Sequence, residues 1–452
     1  MSRQAGIVAI VGRANVGKSS LYNAILGRRE AVVAREPGTT RDSISAKVPY
    51  DGKEFWLVDT AGLKPAEDEF ELTIQEQVKQ AAEAASLIWV VVEAGPGPNS
   101  EDRLVAKLAL KTKKPVILVV NKSEAKKRRE AGEWAKLGIR SVFATSATQK
   151  IGLTELLTAT TAQLPKVAMK TPVNVISLSI LGRPNVGKSA LFNALANKQQ
   201  AIVSDRAGTT RDVNHLSVKY HGQTIELADT AGIRRPGRIA RGAEQFSVLR
   251  SLAAIEQSNV CLVVMDALEP SVQLDQKIAQ MVKDGGKGLI IVVSKWDQAD
   301  GHGLDKGSIS AQIATDFAFV SWAPLIFVSA ATGLNVSKIF ELVSEIANAR
   351  KLAINTPELN NWLQSAASAH MPAGLKNRQP KLNYMVQETG QDQPSFKIFG
   401  SDTRLLHFSY RRYLERSFRE KWPYSGTPIK FWFINKTPTA HSPASQRSRL
   451  YR

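Results

Sequence analysis

Short runs of Val, Ile and Leu alternate with amphipathic stretches of helical length over the first three-quarters of the chain. The strand candidates are residues 6–11, 55–59, 87–93, 115–121 and 141–144, and residues 176–181, 225–229, 260–266, 289–294 and 325–329 repeat the series. Near-continuous apolar strands separated by helices predict an α/β fold, a mostly parallel sheet with helices on both faces. After about residue 350 the pattern changes. A helix, strands at 381–387 and 395–400, a basic amphipathic helix at 408–421 and a strand at 429–434 predict a small α+β domain.

The repetition extends to identity of residues. Gly12-Arg13-Ala14-Asn15-Val16-Gly17-Lys18-Ser19 recurs 170 positions later as Gly182-Arg183-Pro184-Asn185-Val186-Gly187-Lys188-Ser189. Gly38-Thr39-Thr40-Arg41-Asp42 and Asp59-Thr60-Ala61-Gly62 recur at the same offset, and 25 of the 51 positions in 12–62 match 182–232 without a gap. This is domain duplication, with a period too long for a solenoid. The predicted organisation is residues 1–165, a Pro-bounded linker at 166–172, a second copy at 173–350, a third domain at 351–436 and a disordered basic tail at 437–452.

Composition narrows the function. The 452 residues carry 60 Lys and Arg against 41 Asp and Glu, a net charge of +19, which implies a polyanionic partner, nucleic acid first. The one cysteine, Cys261, lies in an apolar run, so a disulfide framework is excluded and a buried core thiol is expected. No apolar run is long enough to cross a bilayer, and the expectation is a soluble, cytoplasmic, monomeric protein without stable membrane association.

The repeated motifs specify a chemistry. G-x4-G-K-S following a strand and opening a helix is a phosphate-binding loop, because backbone N–H groups and the helix N-terminus converge on the phosphates. Gly12, Asn15, Val16, Gly17 and Ser20 in one copy, and Gly182, Asn185, Val186, Gly187 and Ala190 in the other, form the predicted cradle. Lys18 and Lys188 should bridge the β- and γ-phosphates, and Ser19 and Ser189 should donate a hydroxyl oxygen to Mg²⁺. Asp59 and Asp229 begin D-x-x-G and can hold Mg²⁺ through water, while the N–H groups of Gly62 and Gly232 can sense the γ-phosphate. Thr40 and Thr210 lie where a hydroxyl and a carbonyl could close over the metal and that phosphate.

Base identity should be read at Asn121-Lys122-Ser123-Glu124 and Ser294-Lys295-Trp296-Asp297. A carboxylate there accepts both guanine N1–H and N2–H, and adenine has no matching donor pair, so the ligand is GTP or GDP. A backbone N–H at Ser146-Ala147 and at Ser329-Ala330 can reach guanine O6.

With its motifs in this order the chain resembles the TRAFAC class of GTPases, and the tandem copies followed by an α+β domain resemble the Der (EngA) family of bacterial ribosome-assembly GTPases. The likeness to that family's KH-like domain runs through Arg378-Gln379-Pro380-Lys381-Leu382-Asn383-Tyr384, Ser409-Tyr410-Arg411-Arg412-Tyr413-Leu414 and Gly426-Thr427-Pro428-Ile429. The resemblance implies two P-loop G domains and a KH-like domain, hydrolysis of GTP to GDP and phosphate, and a switch in ribosome biogenesis at the large subunit. A pre-ribosomal particle and its ribosomal RNA are the implied partners.

Departures from the family pattern carry their own expectations. Glu124 stands where Asp is usual and displaces the carboxylate by about 1 Å, which predicts weaker guanine binding in the first domain. Ser294 replaces an Asn whose amide would tie the base to the P-loop, which predicts lower affinity in the second domain, while Asp297 keeps the discriminating contact. Leu63 and Ile233 follow D-x-x-G where Ras-type enzymes orient water with Gln, so slow intrinsic turnover is expected. In related GTPases an asparagine at the position of Asn15 and Asn185 helps hold K⁺, and the competing reading is an asparagine that serves the loop's backbone conformation.

Residues 350–452 hold 17 Lys and Arg against 6 Asp and Glu, a net +11, which favours an RNA-binding surface. Arg411, Arg412, Arg416, Arg419 and Lys421 lie along one helix with Tyr410, Tyr413 and Phe418, aromatics expected in the core at that spacing. No G-x-x-G is present there, so shape or phosphate recognition is expected in place of KH-type base readout. The alternative of a different class is a GTP-regulated binding module on RNA or at a membrane, in which hydrolysis is incidental.

Overall fold

The computed structural model describes residues 5–435 except 28–44, 61–73, 96, 124–130, 165–174, 198–200, 203–215, 229–247 and 374–377. The predicted linker at 166–172 and the tail at 437–452 lie outside the described residues.

Strands β1 (Gly6–Val11), β2 (Ser45–Tyr50), β3 (Lys53–Asp59), β4 (Leu87–Glu93), β5 (Val116–Asn121) and β6 (Ser141–Ala144) form a sheet in the order β2-β3-β1-β4-β5-β6. Strands β7 (Val175–Leu181), β8 (Ala201–Ile202), β9 (Leu216–Tyr220), β10 (Gln223–Ala228), β11 (Val260–Asp266), β12 (Gly288–Ser294) and β13 (Leu325–Phe327) form a second, in the order β13-β12-β11-β7-β10-β9-β8. Both are mostly parallel; β2 runs antiparallel to β3, and β9 antiparallel to β8 and β10.

The search for apolar runs misses β2 and β9 for a physical reason. β2, Ser-Ala-Lys-Val-Pro-Tyr, is an edge strand that keeps a polar side and tolerates Pro49. It is joined to β3 by Asp51-Gly52 at φ 50° and 68°, and β9 is joined to β10 by His221-Gly222 at φ 44° and 77°. Two successive positive φ values define the turn that matches strand twist, and an Asp-Gly pair between strand-like segments is a hairpin signal in its own right.

Twelve helices are described: α1 (Lys18–Leu26), α2 (Ile74–Ala84), α3 (Ser100–Lys111), α4 (Ala131–Ala135), α5 (Leu153–Gln163), α6 (Lys188–Ala196), α7 (Val248–Gln257), α8 (Gln273–Asp284), α9 (Lys306–Asp316), α10 (Lys338–Ala349), α11 (Thr356–Ala369) and α12 (Phe408–Lys421). Alternate residues of β1 pack into different layers. Val8 and Ile10 join Leu21, Ile25 and Leu156, whereas Ile7, Ala9 and Val11 join Val78, Ala81 and Val105, so helices cover both faces. Cys261 is buried within β11, as a core thiol.

The two copies share a core. Helices α2 and α7, which stand at corresponding places in the repeat, pack on each other, and Val78, Ala81, Leu249 and Leu252 belong to one buried cluster. Both large sheets accordingly fall within one compact unit.

The second unit holds β14 (Lys381–Gln387), β15 (Ser395–Ser401) and β16 (Lys430–Asn435), with β15 central, antiparallel to β14 and parallel to β16. Trp362 of α11 and Leu414 and Phe418 of α12 pack with Met385, Phe396 and Ile398 of the sheet. Tyr410 and Phe418 are buried, as the helical spacing of the aromatics predicts. Among the described residues no helix is long and apolar enough to cross a membrane.

Candidate functional site

Each P-loop leaves the C-terminal end of a central strand and runs into a helix. In the first copy β1 ends at Val11, Gly17 turns the chain at φ 89°, and α1 begins at Lys18. A Cβ on Gly12 would lie 2.4 Å from the Val91 carbonyl, and one on Gly17 would lie 2.4 Å from Asn121 Nδ2. Glycine is therefore demanded by neighbouring strands as well as by any phosphate. Gly182 meets the Val264 carbonyl at the same 2.4 Å, and Gly187 turns at φ 90°. Val16 and Val186 are buried beneath the loops, whereas Ser20 and Ala190 are exposed on the first turns of α1 and α6.

Asn15 and Asn185 have φ of 64° and 63° with exposed side chains. Asparagine is among the few residues that tolerate this left-handed conformation, so the loop backbone alone accounts for its presence in both copies.

Lys18 is buried, and its ammonium donates to the carbonyls of Gly12 and Arg13, each at 2.7 Å. Lys188 donates to the carbonyl of Arg183. The Ser19 hydroxyl donates to Asp59 Oδ2 at 2.5 Å, which sets two hard oxygen donors side by side next to the lysine. That pair suits Mg²⁺, a cation bound through few protein carboxylates and oxygens. Ser189 is exposed at the matching place. Thr40, Thr210, Gly62, Gly232, Asp229 and Glu124 lie outside the described residues, as do Leu63 and Ile233.

The candidate base-reading segments abut the P-loops. Asn121 Nδ2 donates to the Val16 carbonyl at 3.0 Å, and Asn121 Oδ1 accepts from the backbone N–H of Ala147 at 3.2 Å. One amide thus joins three segments, including Ser146-Ala147. Lys122, at φ 61°, donates to the Asn15 carbonyl at 2.9 Å and to Glu93 Oε1 at 3.0 Å, a hydrogen bond that holds the Glu93 carboxyl below its ordinary range.

The second copy makes the corresponding contact with a different side chain. Ser294 lacks the amide but keeps the tie to the P-loop, because its hydroxyl donates to the carbonyl of Val186, the counterpart of Val16. The shorter side chain crowds the loop less, with Oγ 3.5 Å from a would-be Cβ on Gly187, against 2.4 Å for Asn121 Nδ2 over Gly17. Lys295 donates to Asp266 Oδ2 at 2.6 Å. The Ser329 hydroxyl donates to Asp297 Oδ1 at 2.6 Å, fixing this candidate base-reading carboxylate against the segment Ser329-Ala330.

Sequence reasoning passed over a second anchor of each loop. Arg13 faces the buried Asp102 at 3.3 Å and Glu93 at 3.2 Å, and Arg183 faces the buried Asp275 at 3.3 Å together with Glu269. Each aspartate sits in the first turn of the helix after β4 or β11. Burial raises the Asp102 carboxyl and pushes Asp275 up to about 6, with the arginine opposing the shift. The signal was present in the sequence as an Arg after the first P-loop glycine and an Asp at the same helix position, both duplicated.

The basic helix α12 divides into two groups. Arg419 is bound to Glu415 and to the Tyr424 carbonyl, and Arg411 lies half-buried over the Phe433 ring at 5.0 Å. Arg412, Arg416 and Lys421 remain exposed.

Comparison with known proteins agrees with this layout. A family model described as a 50S ribosome-binding GTPase matches residues 7–122 and again 177–295, and a model described as the KH-domain-like C-terminal part of EngA bacterial GTPase enzymes matches 353–433. GTPase Der of Thermomicrobium roseum is 40% identical over 98% of this chain and 99% of its own. Those of Caldanaerobacter subterraneus and Alkaliphilus oremlandii are 41% and 39% identical, each over 95% of this chain and 98% of their own. The chain is thus a GTP-hydrolysing enzyme with two G domains and a KH-like domain, and it belongs to the GTPase Der (EngA) family.

Proposed function

We propose that both G domains bind GTP with Mg²⁺ and that hydrolysis switches the chain's hold on a pre-ribosomal particle, the large subunit or its precursor. The observation that supports this most is the twofold occurrence of a P-loop lysine, a serine at the helix start and a base-reading segment tied to the loop carbonyl of Val16 or Val186. Lys18 and Lys188 engage the β- and γ-phosphates. Ser19 with Asp59, and Ser189 with Asp229, hold Mg²⁺, which when bound offsets charge on the phosphate oxygens. Thr40 and Thr210 close over the γ-phosphate, and Gly62 and Gly232 register its presence. Glu124 and Asp297 select guanine, assisted by Asn121, Lys122, Ser146 and Ala147 and by Ser294, Lys295, Ser329 and Ala330.

Ribosomal RNA is bound through phosphates by exposed residues of α12, Arg412 and Arg416 first. The domain limits are 1–165, 173–350 and 351–436, and the protein acts as a cytoplasmic monomer. Leu63 and Ile233 cannot orient water, and K⁺ beside Asn15 or Asn185 aids hydrolysis by offsetting charge on the γ-phosphate; equal hydrolysis rates in Na⁺ and K⁺ would refute that part. Co-sedimentation with large-subunit particles in GTP and in GDP tests the switch. Binding that ignores the nucleotide would favour the binding-module reading.

A further inference from the structure

Nearly all of the positive excess of the G domains lies in one stretch. Residues 1–349 carry a net +8, and residues 101–140 alone carry 12 Lys and Arg against 5 Asp and Glu, a net +7. Within it Arg103, Lys107 and Lys111 recur at every fourth position of α3 and are exposed. Every fourth residue of a helix shares a face, so the three cations form a line about 12 Å long, with neighbours about 6 Å apart. Lys136 and the apolar floor of Leu110 and Leu137 complete a shallow depression of about 510 Å³ beside that line. Lys113 and Arg140, in the same stretch of sequence, are also exposed. Among the described residues no ion pair engages Arg103, Lys107, Lys111, Lys113, Lys136 or Arg140.

The duplication supplies an internal comparison. The second copy places helix α8 as the first places α3, and residues Gln276, Gln280 and Asp284 stand where Arg103, Lys107 and Lys111 do. Residues 274–313, at the same offset of 173, carry 5 basic and 5 acidic side chains. A feature needed for the fold or for nucleotide chemistry would be expected in both copies, as the P-loop and its Arg–Asp anchor are. The basic line belongs to the first copy alone.

We infer that this face of the first G domain is a second RNA-docking surface, which lays the line of α3 along the phosphates of a structured RNA. Linearly spaced, solvated cations match a phosphate backbone, and the side chains lining the depression are cationic or aliphatic. A lipid surface would require a continuous free apolar helix face, but Val105, Ala106 and Ala109 of α3 are spent in the core and its two exposed leucines, Leu104 and Leu110, are interspersed with the cations. The inference rests on the proposal that the partner is ribosomal RNA, and adds an attachment remote in sequence from the third domain.

The test uses the full chain with purified large-subunit ribosomal RNA as the probe and follows binding over a range of salt. The triple variant Arg103→Gln, Lys107→Gln, Lys111→Gln removes all three cations and gives the first two positions the glutamine of their counterparts in α8. Expected are at least tenfold weaker RNA binding, a salt slope lower by about 2 to 3, roughly one for each phosphate no longer neutralised, and GTP hydrolysis without RNA equal to that of the parent. Single Arg103→Gln and Lys111→Gln variants, each with a fraction of the effect, guard against misfolding of the triple. An unchanged affinity and slope, while Arg412→Gln with Arg416→Gln weakens binding, would overturn the second surface and leave the RNA reading intact. Failure of the parent to bind RNA would overturn both. Loss of binding to phosphatidylglycerol vesicles in place of RNA would assign the face to a membrane and overturn the inference.

Discussion

The indole N–H of Trp56 donates to the carboxylate of Glu256 at 2.7 Å, joining strand β3 of the first G domain to helix α7 of the second across 200 residues of sequence. The same carboxylate accepts from the backbone N–H of Ala5 at 3.0 Å and lies 3.5 Å from Lys47 Nζ. Glu256 is only 3% exposed and Trp56 is fully buried, so the indole depends on this carboxylate for a partner that water cannot replace. Glu256→Ala should therefore leave two buried donors unpaired and destabilise the tandem unit by about 2 to 4 kcal/mol. Urea unfolding followed by tryptophan fluorescence checks this. An unchanged midpoint would mean that the hydrogen bond is not maintained in solution.

Removal of one P-loop lysine should silence one site and spare the other. Lys18→Ala and Lys188→Ala should each weaken GTP binding in their own domain by about 10- to 100-fold, the worth of a hydrogen bond to a charged group. Titration with a fluorescent GTP analogue should show the tight stoichiometry fall from two sites to one in either variant.

The hydroxyl of Ser294 and the amide of Asn121 do comparable work at the P-loop, but Asn121 also holds Ala147. Ser294→Ala should thus lower GTP affinity in the second domain by about fivefold, and Asn121→Ala should cost the first domain more, about 20-fold or above. Isothermal titration of each variant in a background with the other P-loop lysine replaced would separate the two. Equal losses would show that the tie to Ala147 contributes nothing.

Asp275 makes the stability of the second domain depend on pH. Burial pushes its carboxyl up to about 6 from an ordinary 3.8, so the folded state holds this proton more tightly than the unfolded state. Its stabilising contribution is complete below about pH 4 and is lost as the pH rises through about 6. Asp275→Asn, which keeps the shape, should flatten that part of the profile, removing a change of about 3 kcal/mol. Unfolding midpoints of both proteins between pH 4 and 7 provide the measurement, and identical slopes would count against the shifted proton.

The sites differ in how plainly the chain announces them. Gly12 to Ser19, Asp59 and the segments at Asn121 and Ser294 are contiguous motifs whose chemistry requires particular residue types at fixed spacing, and duplication at an offset of 170 makes chance untenable. The parallel strands are legible for a similar reason, since burial on both faces writes itself as an unbroken apolar run. Strand β2 at the sheet edge obeys a weaker rule and shows only through its turn at Asp51-Gly52.

What remained hidden concerns partners distant along the chain. No local pattern states that Trp56 will donate to Glu256, or that Ser294 can reach the carbonyl of Val186. By itself the sequence determined two copies of a guanine-nucleotide machine and a basic third domain, because phosphate and base chemistry act through residues adjacent in the chain. Only the tertiary structure decided that the two copies share a core through α2 and α7, with Glu256 buried between them. A carboxylate in a sequence carries no mark of whether water or another domain will satisfy it, and that choice is made by which apolar surfaces the whole fold leaves to be covered.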